Sequence, residues 1–149
     1  MPRPARPRTS VSAGRFCAAA VIVAVPIAWG VAAAGYGVAT REPLRDLAVM
    51  ALWSVAEEIV FRGALQPAIA RRIDNEPRLG VTPANVATSL VFAALHLLRH
   101  PPLVALFLFP VSLVYGKARE LSGHVLPAIM LHLAFNALLY AASWLRAAA

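Results

Sequence analysis

The segment that decides the fold comprises residues 47–70 and reads LAVMALWSVAEEIVFRGALQPAIA. It is apolar at both ends, yet it carries Glu57, Glu58 and Arg62 in its middle. An ionisable side chain at the centre of a membrane helix costs about 2.5–3.5 kcal/mol on insertion scales, so such residues are functional-site candidates by default. We therefore expect a membrane helix that carries the chemistry of the protein.

The composition of the whole chain also favours a membrane protein. About 60% of its 149 residues are hydrophobic and 14% are charged. In soluble domains, roughly 45–50% of the residues are apolar and about 25% are charged. A chain this short cannot bury so much apolar surface in a core, and disordered chains have the opposite balance. The net charge is +7, but most of the basic residues lie between the apolar segments and are not gathered in one soluble segment. We therefore expect a lipid bilayer as partner, and no nucleic acid.

A second apolar segment lies closer to the amino terminus. Residues 16–39 contain no charged side chain, and a helix of that length spans roughly 36 Å, more than the hydrocarbon layer of about 30 Å. The proline- and arginine-rich residues 1–15 are expected to form a basic cytoplasmic tail. The alternative is a signal peptide, but its apolar region is usually about 7–15 residues long. We favour a retained first transmembrane helix.

Three more apolar segments follow, at residues 84–98, 102–116 and 125–145. The first two are shorter than the roughly 20 residues of a comfortable span. The five segments together predict an all-α fold, a polytopic transmembrane helix bundle with the polar site in its core. With a cytoplasmic amino terminus, the inner segments hold nine basic residues and the outer ones four. The positive-inside rule therefore favours that orientation.

Helical spacing separates the roles of the two glutamates. Glu58 and Arg62 are four residues apart, about 40° around the helix axis, so they can form an ion pair. Glu57 points about 100° away from Glu58, toward a different neighbour. One carboxylate is then held by the arginine, and the other is available as a general base in a low-dielectric site.

Polar side chains on two other segments complete the candidate site. His132 and Asn136 are four residues apart, so an imidazole and an amide can aim donors at one point, as an oxyanion hole requires. His96 lies on a third helix, where it and a glutamate can hold and deprotonate a water molecule. Each residue alone has a structural interpretation, as a buried ion pair or as an interhelical hydrogen bond. Their joint presence on apolar helices favours a catalytic site.

Three motifs in a fixed order carry a resemblance to a known family. Residues 57–62 read EEIVFR (EExxxR), residues 92–96 read FAALH (FxxxH), and residues 132–136 read HLAFN (HxxxN). This ordered triple on apolar helices resembles the CPBP family of intramembrane proteases, which includes the CAAX prenyl endopeptidases and the bacteriocin-processing and immunity-related Abi proteins. The resemblance covers residues 47–145, which we predict to be a CPBP-like catalytic helical core.

The resemblance implies a role for each matching residue. Glu57 matches the glutamate that activates water, and His96 matches its partner. His132 and Asn136 match the residues that stabilise the oxyanion, and the glutamate–arginine pair matches the supporting pair of the family.

The family has been described both as metal-dependent and as glutamate-dependent without metal. The sequence contains neither an HExxH zinc motif nor a GxSxG nucleophile elbow. We expect a glutamate mechanism with no cofactor. The alternative is a divalent metal such as zinc, held by Glu57, His96 and His132.

These observations predict an intramembrane endopeptidase that cleaves a membrane-anchored protein or peptide. The expected substrate is a C-terminal sorting signal, as for short bacterial relatives, or a CAAX-like prenylated peptide. The alanine and arginine content indicates a GC-rich bacterium, and hence the inner membrane. One alternative is a non-enzymatic immunity or scaffold protein that binds a partner helix. Another is a small ion or proton carrier, although its carboxylates would be spread along a path across the membrane.

Overall fold

The computed structural model describes residues 10–33, 35 and 43–148, and these residues form an all-α bundle without a β-strand. The helices are α1 (Ser10–Ala33), α2 (Pro43–Glu58), a π-helical segment (Ile59–Leu65), α3 (Gln66–Ala70), α4 (Pro83–His96), α5 (Pro102–Ser122) and α6 (Leu126–Ala147). Because α2, the π-helical segment and α3 follow one another without a break, the described chain has five continuous helices. The predicted all-α fold is confirmed.

Within the described residues, three helices are long and apolar enough to cross a membrane, and they comprise Ser12–Ala33, Pro102–Ser122 and Leu126–Ala147. The short segment predicted at residues 102–116 was wrong, because α5 continues to Ser122. The charges beyond residue 116 lie within the helix, where Lys117 pairs with Glu120 at 3.7 Å. Helix α4 remains short, at 14 residues, or roughly 21 Å.

The first helix begins earlier than the sequence predicts. It starts at Ser10, so residues 10–15 of the predicted tail belong to it, while residues 1–9 lie outside the described residues. It ends at Ala33, and residues 34 and 36–39 of the predicted span are likewise outside the description.

Helix α1 packs against α6 and α5 through small residues. Its buried side chains are Ala13, Ala24, Ala28 and Ala32. Small side chains let helix backbones approach closely, which is a main source of packing energy in membranes. At its far end Arg146 of α6 donates to the carbonyl of Ala32. Helices α1 and α6 therefore run parallel.

Helices α4 and α5 form an antiparallel hairpin with close contact. A Cβ atom built on Gly116 would lie 1.9 Å from Oδ1 of Asn85, so any larger residue at this crossing would force the Asn85 side chain to move. The side chain of Asn85 in turn donates from Nδ2 to the carbonyl of Leu113 at 3.0 Å. Thr82 begins α4 by accepting from the Asn85 amide at 3.1 Å, as an N-cap residue does.

Most of the described basic side chains lie at one end of the bundle. Nζ of Lys117 donates to the carbonyl of Gly80, so the connection between α3 and α4 lies at the carboxyl end of α5. The first turns of α1 line a groove of about 820 Å³ together with the α5–α6 turn. The basic residues at this end are Arg15, Arg71, Arg72, Arg78, Lys117 and Arg119.

Candidate active site

The centre of the site is His132, which lies between two glutamates. Its Nδ1 is 2.9 Å from Oε1 of Glu58, and its Nε2 is 3.9 Å from Oε2 of Glu57. The Glu58 side chain is fully buried, whereas the Glu57 side chain is 28% exposed. Of the two carboxylates, Glu57 is therefore the one that a substrate can reach.

The Glu58 carboxylate is held from a second side by Arg62. Nη1 of Arg62 donates to Oε1 of Glu58 at 3.1 Å, and both side chains have no exposed surface. Nη2 of Arg62 donates to the backbone carbonyl of Ser112 at 2.9 Å and also to its hydroxyl. The guanidinium is enclosed by the rings of Phe61, Phe92 and Tyr115, at 5.7, 4.8 and 5.5 Å from their centroids.

The pair lies where the helix changes from α to π geometry. The π-helical segment begins directly after Glu58 and contains Arg62, and such segments occur frequently at functional sites. A wider turn leaves a backbone carbonyl without its usual i+4 donor. Nε of Arg119 on α5 donates to the carbonyl of Arg62 at 3.2 Å. The neighbouring helix thereby supplies a donor for the π-helical turn.

The contacts of His132 determine which ring nitrogen carries a proton. An ionised Glu58 carboxylate can only accept, so Nδ1 carries the hydrogen in the bond between them. The Tyr115 ring stacks on the imidazole, with centroids 4.8 Å apart and planes 18° from parallel. Nε2 is therefore directed at Glu57, and it can donate a proton only when the ring is cationic.

His96 packs against the ring of Phe92 rather than directly against the glutamates. Its ring centroid is 4.3 Å from that of Phe92, and its Nδ1 lies 2.8 Å from the Phe92 carbonyl. The His132 centroid is 6.1 Å from the same ring. Within the described chain, His96 has no ion pair with Glu57; instead it stacks on His100 at 5.8 Å.

His100 lies in the turn that leads from α4 to α5, at the edge of the site. Burial lowers the pKa of His100, and the neighbouring His96 and Arg99 add to this shift. The neutral ring is thus favoured in the stack with His96. The Arg99 guanidinium lies 5.9 Å over the Trp53 ring, which ties this turn to α2.

Asn136 contacts a different side chain of α2 from those that His132 contacts. Its Nδ2 donates to the hydroxyl of Ser54 on α2 at 2.8 Å, one turn before the glutamates. The HxxxN motif therefore places two polar side chains of α6 against α2, one helical turn apart. The histidine contacts the glutamates, and the amide contacts Ser54.

Sequence reasoning missed the residues that support the site. Ser54, Ser112 and Tyr115 are all buried, and each contacts a member of the three motifs. Glu120 on α5 joins two further elements, because it accepts from Nε2 of Gln66 on α3 at 3.2 Å and from the hydroxyl of Thr82, the N-cap residue of α4. The available signal was a polar residue in an apolar run, which identifies a candidate but not its partner.

The proposed metal ligands are brought together only in part. In the described part of the chain, no three histidine, cysteine, aspartate or glutamate side chains form a group that could hold a metal. Nδ1 of His132 is engaged with Oε1 of Glu58, which leaves Nε2 as the ring nitrogen that a ligand could reach. The expectation that the protein has no cofactor stays a prediction.

The fold and these contacts define a helical membrane protein with a buried carboxylate–imidazole site. The family model described as type II CAAX prenyl endopeptidase Rce1-like matches residues 39–138. This match covers more than half of the chain, so the protein belongs to the Rce1-like family of membrane-embedded peptidases. No curated protein and no solved structure matches the chain significantly. The resemblance to CPBP intramembrane proteases is confirmed.

Proposed function

We propose that this chain is an intramembrane endopeptidase in which Glu57 is the general base. The observation that carries the proposal is the position of Glu57, a partly exposed carboxylate 3.9 Å from Nε2 of His132. A water molecule between these two groups would be held by both. The Glu58–Arg62 pair supports the site by fixing the opposite nitrogen of the imidazole.

The reaction requires two proton transfers and one bond exchange. Glu57 removes a proton from water as its oxygen attacks the carbonyl carbon of the scissile peptide bond. His132 and Asn136 stabilise the resulting oxyanion, and His96 assists the attacking water. The protonated Glu57 then gives its proton to the leaving nitrogen, the C–N bond breaks, and the carboxylate is restored.

The proposed oxyanion role of His132 has a specific requirement. Because Glu58 occupies Nδ1–H, only the imidazolium can also present Nε2–H to the substrate oxygen. The carboxylates of Glu57 and Glu58 together would balance the charges of the imidazolium and of Arg62 in a medium of low dielectric constant. No metal ion is needed in this scheme, and we propose that the enzyme has no cofactor.

The substrate is a membrane-anchored protein or peptide. We propose a C-terminal sorting signal or a CAAX-like prenylated peptide, cleaved in a bacterial inner membrane. We further propose that the amino terminus is cytoplasmic, because the basic end of the bundle contains the start of α1.

A cleavage assay in membranes tests the proposal. The chain is co-expressed with reporters that carry either a CAAX sequence or a C-terminal helix followed by a basic cluster. Wild type should shorten one reporter, and Glu57→Gln should insert equally well but leave it intact. Cleavage by Glu57→Gln at the wild-type rate contradicts the assigned role.

The same experiment separates the enzyme from a binding protein. A non-enzymatic immunity or scaffold protein would retain its partner in both forms and shorten no reporter. Glu57→Asp is a useful second variant, because it keeps the charge but withdraws the carboxylate. Partial activity in this variant is expected for a base that must reach the water.

A further inference from the structure

Ser54 on α2 is a buried residue to which none of the three motifs assigns a role. It is 1% exposed, and it lies three residues before Glu57 on the same helix. Its hydroxyl donates to the carbonyl of Met50 at 2.8 Å and accepts from Nδ2 of Asn136 at 2.8 Å. The bond from Asn136 joins the helix that carries the proposed base to the helix that carries the proposed oxyanion donors, whereas the bond to Met50 lies within α2.

The hydrogen-bond pattern fixes the orientation of the Asn136 amide. A serine hydroxyl has one hydrogen to donate, and the Met50 carbonyl, which can only accept, takes it. Ser54 therefore presents lone pairs to Asn136, so the amide must face it with its NH₂ group. If the Asn136 amide were turned by 180°, its Oδ1 would face the Ser54 hydroxyl oxygen. That oxygen has no second hydrogen to donate, so no hydrogen bond could form.

This orientation leaves the second hydrogen of Nδ2 for the substrate. An NH₂ group has two hydrogens, and Ser54 engages one of them. Donors in an oxyanion hole act through preorganisation, since they are held in place before charge develops. A buried hydroxyl at 2.8 Å provides that restraint for an asparagine whose terminal torsion is otherwise broad.

We propose that Ser54 is a positioning residue that holds the Asn136 amide for the oxyanion. This inference rests on the proposed function and deepens it. Ser54 does not touch the substrate, and it acts only through Asn136. Ser54 and the proposed base Glu57 lie one turn apart on the same helix. The contact of Ser54 with Asn136 therefore fixes the position of the amide relative to the base.

A double-mutant cycle tests this role with a quenched fluorescent farnesylated CAAX peptide in liposomes. Ser54→Ala should lower kcat about tenfold to a hundredfold with little change in KM, because loss of a whole oxyanion donor costs about 10²–10³ in kcat. In an Asn136→Ala background, Ser54→Ala should have no further effect. Ser54→Thr keeps the hydroxyl and should restore much of the lost rate.

The outcomes distinguish failure of the inference from failure of the proposed function. An equal loss of kcat from Ser54→Ala in both backgrounds means a merely structural role, and an unchanged kcat means none; either overturns the inference. If Asn136→Ala cleaves at the wild-type rate, the oxyanion assignment itself is wrong and the positioning role is overturned with it. Retained cleavage by Glu57→Gln instead contradicts the assigned base.

A spectroscopic measurement tests the contact without any substrate. The chain has three asparagines, Asn75, Asn85 and Asn136, so side-chain amide NMR of protein labelled with ¹⁵N-asparagine is readily assigned with Asn136→Ala. We expect one Nδ2 hydrogen of Asn136 to be shifted downfield of its position in an unbonded asparagine amide and to exchange slowly. Ser54→Ala should return that hydrogen to the unbonded shift and speed its exchange, while the Asn85 signals stay in place. Unchanged Asn136 signals in Ser54→Ala would overturn the proposal.

Discussion

The carboxylate of Glu58 lies 2.9 Å from Nδ1 of His132, and both side chains are buried. Because the same oxygen also accepts from Arg62, one carboxylate balances an arginine and orients a histidine. Taking such charges out of water is costly unless each keeps its partner. The arrangement is therefore sensitive to loss of any single member.

Glu58→Ala should destabilise the protein by about 3–5 kcal/mol, because it leaves the buried Arg62 without its countercharge. Thermal unfolding in detergent measures this change. The matched control is the double variant Glu58→Leu with Arg62→Met, which removes both charges and should recover much of the stability. It should remain inactive, since His132 has lost its orienting carboxylate. Equal stability of Glu58→Ala and wild type would contradict this account.

Gly116→Ala should destabilise the α4–α5 hairpin by about 1–3 kcal/mol, as overpacking does. The added methyl group would meet the Asn85 side chain at 1.9 Å. Gly30→Ala is the control, because nothing lies within 4 Å of a Cβ atom at Gly30, and alanine favours a helix by about 1 kcal/mol. Unfolding temperatures of the two variants should move in opposite directions. A shift of the same sign for both would show that the close approach at Gly116 is not limiting.

Much of the fold could be predicted from hydrophobicity, because lipid imposes a simple length rule on apolar helices. The same rule misplaced the end of α5. Lys117 and Glu120 resemble loop residues in the sequence, but they are satisfied by each other and by Gly80 and Thr82 in the folded bundle. Long-range partners of this kind leave no periodic signal in the chain.

The candidate site was only partly predictable for a related reason. The spacing of Glu58 and Arg62 on one helix indicates their ion pair, since the interaction is local. The contact between Glu58 and His132 spans 74 residues, and no spacing rule reports it. The π-helical geometry after Glu58 is not predicted by the sequence either, although the π-helical segment contains Arg62, the partner of Glu58.

Chelation should leave cleavage unchanged, because the proposed mechanism uses Glu57 as the general base and needs no metal ion. The measurement is the reporter cleavage rate in membranes treated with 1,10-phenanthroline or EDTA, followed by added zinc. A zinc-dependent protease serves as a positive control for chelation under the same conditions. Loss of activity that zinc restores would contradict a metal-free glutamate mechanism.

The orientation of the bundle predicts which loops face the cytoplasm. Leu79 in the α3–α4 connection and Leu98 in the α4–α5 turn are 105% and 80% exposed, and they lie at opposite ends of α4. In a Cys17→Ala background, Leu98→Cys should react with a membrane-impermeant maleimide applied to spheroplasts, whereas Leu79→Cys should react only after permeabilisation. The physical reason is the cluster of basic residues beside Leu79, which the positive-inside rule retains in the cytoplasm. The reverse labelling pattern would place the amino terminus outside and contradict the proposed topology.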